Sequence, residues 1–240
     1  MNFQKYFLLQ TAILLFLLPV SVFPADLSLF AGGEIDTRGQ GFSYLGVDIT
    51  QKFTQNLSLA GRITPNYLTY RYRDGNHLIR AKSLGIYTVV GLKYSLNQTT
   101  LGIFGGAEYR NTDLNPDVRT AEVRGSTWAG LIQGEFDTWF ASRTNINLSA
   151  SFSGTDSFFY ERGRIKRQIS NFEFKKPNTI NLGIEQFYGR NPDFRMAGGG
   201  LLLEVYHIPK KLSLALKGGY KHDSTFGSGG YGGLELFVSF

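Results

Sequence analysis

The chain has 240 residues, no cysteine, 29 glycines and 15 % aromatics, with a formal charge of +6 and a pI near 9.4. The lack of cysteine excludes a disulfide framework and a lipid-modified N-terminal cysteine. The positive charge is dispersed, with no phosphate-tracking Lys/Arg block outside Arg162 to Arg167, so nucleic acid is not an expected partner.

Residues 1–25 carry the marks of a secretory signal peptide. Lys5 supplies the positive start, Phe7 to Leu18 is apolar apart from Gln10 and Thr11, and Pro19 to Ala25 offers a breaker and a small residue for cleavage. The apolar run is too short to cross a bilayer as a helix, which takes about 20 residues. The expected domain organisation is therefore a signal peptide, 1–25, and one β-barrel, 26–240.

From residue 26 onward apolar residues recur at a spacing of two, the period of strands. The first segments place Leu27, Leu29 and Ala31 on one side, then Leu45, Val47 and Ile49, then Leu57, Leu59 and Ile63. Next come Ile86, Val90 and Leu92, followed by Leu101, Ile103 and Ala107, and by Trp128, Ile132 and Phe136. Ile146, Leu148, Ala150 and Phe152 form the seventh set, and an eighth segment around Phe159 to Ile169 is poorly patterned. Ile180, Leu182 and Ile184, then Leu201, Leu203 and Val205, then Leu212, Leu214 and Leu216 continue the series. The twelfth segment closes the chain with Leu234, Leu236, Val238 and Phe240. A terminal aromatic preceded by apolar residues at alternate positions resembles the signal read by the outer-membrane assembly machinery, with Leu236, Val238 and Phe240 as its carriers.

The opposite parity decides between a soluble sandwich and a membrane barrel, because both alternate. It holds Glu34, Asp48, Arg62, Lys93, Glu108, Glu135, Asp137, Arg162, Arg164, Lys166, Glu185, Glu204, Lys217, Lys221 and Glu235, with both signs near balance. The other parity is almost free of charge in mid-strand, as lipid requires when a Lys or Arg at the midplane costs about 2–4 kcal/mol. The fold class expected is all-β: a single antiparallel transmembrane barrel of about twelve strands, with ten or fourteen also fitting the weak eighth segment. Tyr67, Tyr70, Tyr72, Tyr109, Trp128, Tyr188, Tyr206 and Tyr220 fall near strand ends, where interfacial rings belong. With both termini periplasmic, residues 36–41, 70–83, 110–122, 153–157, 187–194 and 222–229 are the outer connections, expected to be longer than the inner ones.

Chemistry-bearing patterns are few. His77, His207 and His222 are far apart and lack ligand spacing, so neither metal nor cofactor is expected. His222-Asp223-Ser224 with Glu235 resembles the His-x-Ser and carboxylate arrangement of lipid A deacylase barrels, but parity puts His222 outward and Glu235 inward, and no GxSxG elbow is present. Arg162, Arg164 and Lys166 form a basic ladder on one strand face. It suits either an anion path or a salt-bridge network with Glu135, Asp137 and Glu185, and the near balance of inward charge favours the network.

Several loop segments occur in one order: Tyr109-Arg110-Asn111-Thr112-Asp113-Leu114-Asn115-Pro116-Asp117, Arg124-Gly125, Tyr160-x-Arg162-Gly163-Arg164, Gly189-Arg190-Asn191-Pro192-Asp193-Phe194-Arg195 and the glycine-rich Ser228 to Leu236. Together they resemble the cellulose biosynthesis BcsS family. The resemblance implies an outer-membrane barrel of a Gram-negative bacterium, accessory to biosynthesis or secretion of cellulose or a related exopolysaccharide, with no agreed catalytic activity, and the protein is expected not to be an enzyme. Its implied partners are outer-membrane lipids, the assembly machinery and the polysaccharide or its secretion complex. Tyr109, Arg110, Asp113, Arg124, Tyr188, Arg190, Asp193 and Arg195 are the expected glycan-binding rim, since glycans need hydrogen-bonding groups beside flat apolar faces. A small-solute or anion channel and a lipid A deacylase-like hydrolase are the competing classes.

Overall fold

The structure is a computed structural model. It describes residues 25–74, 77–118, 121, 123–141, 143–173 and 177–240, so the signal-peptide expectation lies outside the described residues except at Ala25. Twelve strands follow one another: β1 (Ala25–Asp36), β2 (Gly41–Lys52), β3 (Leu57–Asp74), β4 (His77–Leu96), β5 (Thr99–Asn115), β6 (Gly125–Phe140), β7 (Thr144–Ser153), β8 (Phe158–Glu173), β9 (Pro177–Arg190), β10 (Arg195–His207), β11 (Leu212–Asp223) and β12 (Gly227–Ser239). Each pairs antiparallel with its neighbours, and β1 meets β12 from Ser28 opposite Ser239 to Asp36 opposite Tyr231. The sheet thus closes and no edge strand is left to template aggregation.

Local chemistry sets the tight turns. Between β1 and β2, the Asp36 carboxylate accepts the backbone N–H groups of Arg38 and Gln40 while Gly39 takes the positive φ that the turn demands. Between β4 and β5 two residues suffice, with Asn97 in the left-handed region.

Burial runs opposite to that of a water-soluble domain. Ile103 is 73 % exposed and Leu201 63 %, whereas Glu185 is 3 % exposed and Glu108 1 %. Apolar side chains line the outside and charged ones the inside, as hydrocarbon around the wall requires. Inward glycines make room for large rings in the narrow interior. A Cβ on Gly46 would lie 2.1 Å from the Phe30 ring, and one on Gly198 would lie 2.4 Å from Phe187. Ala60, Val89, Phe104 and Leu131 form a small apolar core within the same lumen.

The predicted parity holds on all twelve strands. The eighth is poorly patterned because Glu161, Gly163 and Arg167 take outward positions, and a bulge between Gln168 and Ser170 then breaks its register. The connections need correction. Residues 70–83 are mostly strand, paired from Tyr70 opposite Ala81 to Asp74 opposite His77, and β5 continues to Asn115. These segments read as loop because their outward face, with Arg71, Arg73, Arg80, Lys82, Asn111 and Asp113, is polar where the band below is apolar, although Ile79 and Ala81 stay buried on the inward face. The strand keeps its ladder and its alternation there, but its outward side chains change from apolar to charged. The predicted asymmetry between the two ends therefore resides in strand length, 18 and 20 residues in β3 and β4 against 12 in β1 and β2. Three of the predicted interfacial rings, Tyr70, Tyr72 and Tyr206, share the inward parity of Arg62 and Glu204; Tyr67, Tyr109, Trp128, Tyr188 and Tyr220 share the outward one.

Candidate functional site

The interior charges gather into clusters joined by the walls that carry them. Near the end where β2 meets β3, Asp48 accepts from Arg62 at 2.9 Å and from Lys93 at 3.0 Å, and Arg62 reaches on to Glu135 of β6. The Arg62 guanidinium also lies 5.0 Å from the centre of the Phe104 ring and 5.6 Å from that of Phe30. A planar cation between two rings, with carboxylates at its edge, is held by cation–π and ionic attraction together.

A larger cluster joins β8 and β9 to β11, β12 and β1. Arg164 donates to Glu185 at 2.7 and 2.9 Å, and to both carboxylate oxygens of Glu235 at 2.6 and 2.7 Å. Lys217 bonds Glu34 at 2.7 Å and stands 3.3 Å from Glu235, while Arg162 is 3.5 Å from the same carboxylate. The Tyr231 hydroxyl donates to Glu185 at 2.9 Å, and its ring meets Phe187 edge-on. Below this, Lys166 bonds Glu204 at 2.8 Å, and the Asn181 amide donates to the other Glu204 oxygen. Toward the opposite end, Glu108 accepts from Arg110 and from the Ser153 hydroxyl, and Arg110 also donates to Tyr87. Lys221 bonds Asp36, and Arg38 bonds Asp223 at 3.3 Å.

The predicted network is therefore real in kind but differently wired. Of Glu135, Asp137 and Glu185, only Glu185 joins the basic ladder. Glu135 pairs with Arg62, and Asp137 accepts from the amides of Asn145 and Asn147. The true ladder partners, Glu235 and Glu204, stand on the inward parity in the sequence, but closure of the sheet is what brings β12 within reach of β8. Alternation places a charge on a face and says nothing about which charge lies across the lumen.

The residues of the expected glycan rim are divided between two faces of the wall. Arg110 points into the lumen, whereas its neighbour Tyr109 is on the outer face, 4.9 Å ring to ring from Trp128. Adjacent strand residues must point to opposite sides. Asp113 lies opposite Lys82 on the outer face, Arg190 and Arg195 lie opposite each other, and Tyr188 lies opposite Ala197. Arg124 forms a two-pronged pair with Asp117 in the exposed loop after β5, which raises the guanidinium pKa above its ordinary value. Asp193 is in the tight turn before β10, where its backbone N–H donates to the Asn191 side chain.

The hydrolase-like residues separate as well. His222 bonds Ser228 at 3.0 Å, and the Ser224 hydroxyl accepts the Arg195 N–H instead. Asp223 is buried and takes the backbone N–H groups of Thr225 and Phe226, while Glu235 is engaged by Arg164. Among the described residues no group of three potential ligands could hold a metal ion, and no helix is long and apolar enough to cross a membrane. At the chain end Leu236 and Phe240 are exposed on the outer face, Val238 pairs with Leu29 and Leu212, and the Phe240 N–H donates to the Leu27 carbonyl.

A closed antiparallel wall, apolar outside and ionic within, defines a β-barrel of the outer-membrane type. Solved structures share this fold: the outer membrane channel COG4313 from Pseudomonas putida F1 (TM-score 0.52, 10 % identity, 92 % of this chain and 99 % of that one), the translocator domain of autotransporter NalP from Neisseria meningitidis (0.50, 11 %, 99 % and 95 %) and LpxR from Salmonella typhimurium (0.50, 10 %, 89 % and 99 %). At such identities the likeness speaks for the fold alone. No curated protein matches the sequence. Residues 28–240 match the family model described as cellulose biosynthesis protein BcsS, and the chain belongs to that family.

Proposed function

We propose that this protein is a non-enzymatic accessory barrel of the Gram-negative outer membrane, serving the biosynthesis or secretion of cellulose or a related exopolysaccharide. Family membership supplies the process. The observation that carries the accessory role is the pair of bridges across the interior, Arg164 of β8 to Glu235 of β12 and Arg62 of β3 to Glu135 of β6. Each bridge joins non-adjacent strands and so takes up part of the passage that a glucan strand or hydrated solute would need. The wall then acts as a membrane-held partner for a secretion complex rather than as the conduit itself. The separation of His222, Ser224 and Glu235 speaks against the hydrolase reading, since a nucleophile, base and orienting carboxylate must touch.

Loss of the gene is expected to lower polysaccharide at the cell surface while the purified barrel stays closed in planar bilayers and releases no acyl chain from lipid A. A large steady conductance would replace the accessory role with a channel, and acyl release would replace it with a hydrolase.

A further inference from the structure

The residues withdrawn from the glycan rim leave an unexplained feature on the outer wall. Arg71 of β3 and Arg80 of β4 are directly opposite each other, with Lys82 one outward step below Arg80 and Arg73 one step above Arg71. Arg73, Arg80 and Lys82 are exposed and Arg71 is half-buried. Like charges directly opposite in a sheet repel, yet among the residues whose side chains are described none of these four cations has an ion-pair partner, and Asp113, opposite Lys82, is a carboxylate set beside them.

Their height on the wall is informative. Tyr67 and Leu84 are opposite each other, Tyr109 is opposite Ile86, and Tyr109 packs on Trp128; these rings and apolar side chains end the lipid-facing band. Outward side chains repeat every second residue, about 7 Å along a strand. Lys82 is thus one step above Leu84, and the Arg71–Arg80 pair is one step higher. That is the level at which headgroup phosphates stand above an aromatic girdle. Arg190 and Arg195 repeat the opposed pair elsewhere on the wall, but Glu161, opposite the neighbouring Tyr188, offers them a carboxylate close by.

We propose that Arg71, Arg80, Lys82 and Arg73 form a binding surface for the phosphate groups of an anionic lipid in the outer leaflet. Two guanidinium groups facing one another present forked donors to a single phosphate, which neutralises their repulsion and locks the projecting β3–β4 hairpin to the membrane surface. The assignment of the lipid source rests on the membrane orientation proposed above, with this hairpin outside the cell; the affinity for phosphate does not.

The test uses the folded chain in detergent micelles with a chelator present, titrated with bisphosphorylated lipid A and with the same lipid stripped of phosphate. Native mass spectrometry reads retained lipid, and thermal unfolding reads stabilisation. The phosphorylated lipid should be retained and raise the unfolding midpoint, and the stripped lipid should do neither. Replacing Arg71→Gln and Arg80→Gln together should weaken retention roughly tenfold. The same double variant should fold at least as well as the parent without lipid, because it removes a like-charge pair, so weakened binding cannot be mistaken for misfolding. Arg167→Gln, exposed near the other end of the wall, should leave retention unchanged.

Equal retention of the stripped lipid, or undiminished retention by the double variant, would overturn the site. Inorganic pyrophosphate binding as tightly as the lipid would reassign it to a free phosphate. Labelling of Arg73→Cys only after the outer membrane is opened would overturn the outer-leaflet source while leaving the phosphate affinity in micelles to stand or fall by itself.

Discussion

Two stretches of one wall, the band formed by the lower strands and the hairpin where β3 and β4 continue to Asp74 and His77, have the same ladder and obey different rules. In the band, exposed apolar residues alternate with inward charges, as with Ile184 beside Glu185, or Leu234 and Leu236 flanking Glu235. In the hairpin, Arg71, Arg73, Arg80 and Lys82 occupy the outward positions that apolar residues hold below. The ladder depends on backbone pairing alone. The chemistry of each face depends on what it touches, so the outward face turns charged above the apolar band while Ile79 and Ala81 stay buried on the inward one.

That contrast can be broken most forcefully inside the band. Arg164→Ala strips the cation from between Glu185 and Glu235, both largely shielded from solvent. Breaking a buried pair in this way is expected to cost about 3–5 kcal/mol, read as a lower denaturant midpoint of the folded barrel. An unchanged midpoint with altered ion selectivity in bilayers would show a water-filled lumen that screens the charge, and the channel would move to first place.

A charge forced onto the lipid side comes next. Ile103→Arg should destabilise the barrel by about 2–4 kcal/mol, whereas Leu78→Arg, outward on the projecting hairpin, should shift the midpoint by less than about 1 kcal/mol at the bilayer edge. Similar losses at both positions would mean that the hairpin is immersed after all. Phe240→Ser is expected to reduce the fraction that runs as a folded, heat-modifiable band, while Ser239→Ala leaves it unchanged. Phe240 carries the exposed aromatic and Ser239 does not. Equal yields would remove the terminal residue from any role in assembly.

The smallest effect is a matter of access rather than energy. Asn115→Cys, at the end of β5 and opposite Arg80, should react with an impermeant reagent on intact cells without loss of folding. Reaction only after the outer membrane is opened would invert the barrel.

The legible and illegible parts divide along the same physical line. The strand count, the faces of nearly every residue and the charged interior follow from a period of two, because the side-chain direction of a strand is a local property of its backbone. The resemblance to the BcsS family was carried by ordered runs such as Tyr109 to Asp117, and residues 28–240 bear it out. The hairpin above Tyr70 was misread as loop because its polarity no longer reported its pairing.

Partner choice was beyond the sequence. Arg164 and Glu235 are 71 residues apart and meet only because twelve strands close on themselves, and Tyr109 and Arg110 part company although they are adjacent. The amino-acid order of this protein thus determined which face each side chain occupies, a consequence of short-range strand geometry. Closure and register decided which side chains touch across the lumen and which cations are left opposed on the outer wall, because those distances are set by the circumference of the whole sheet.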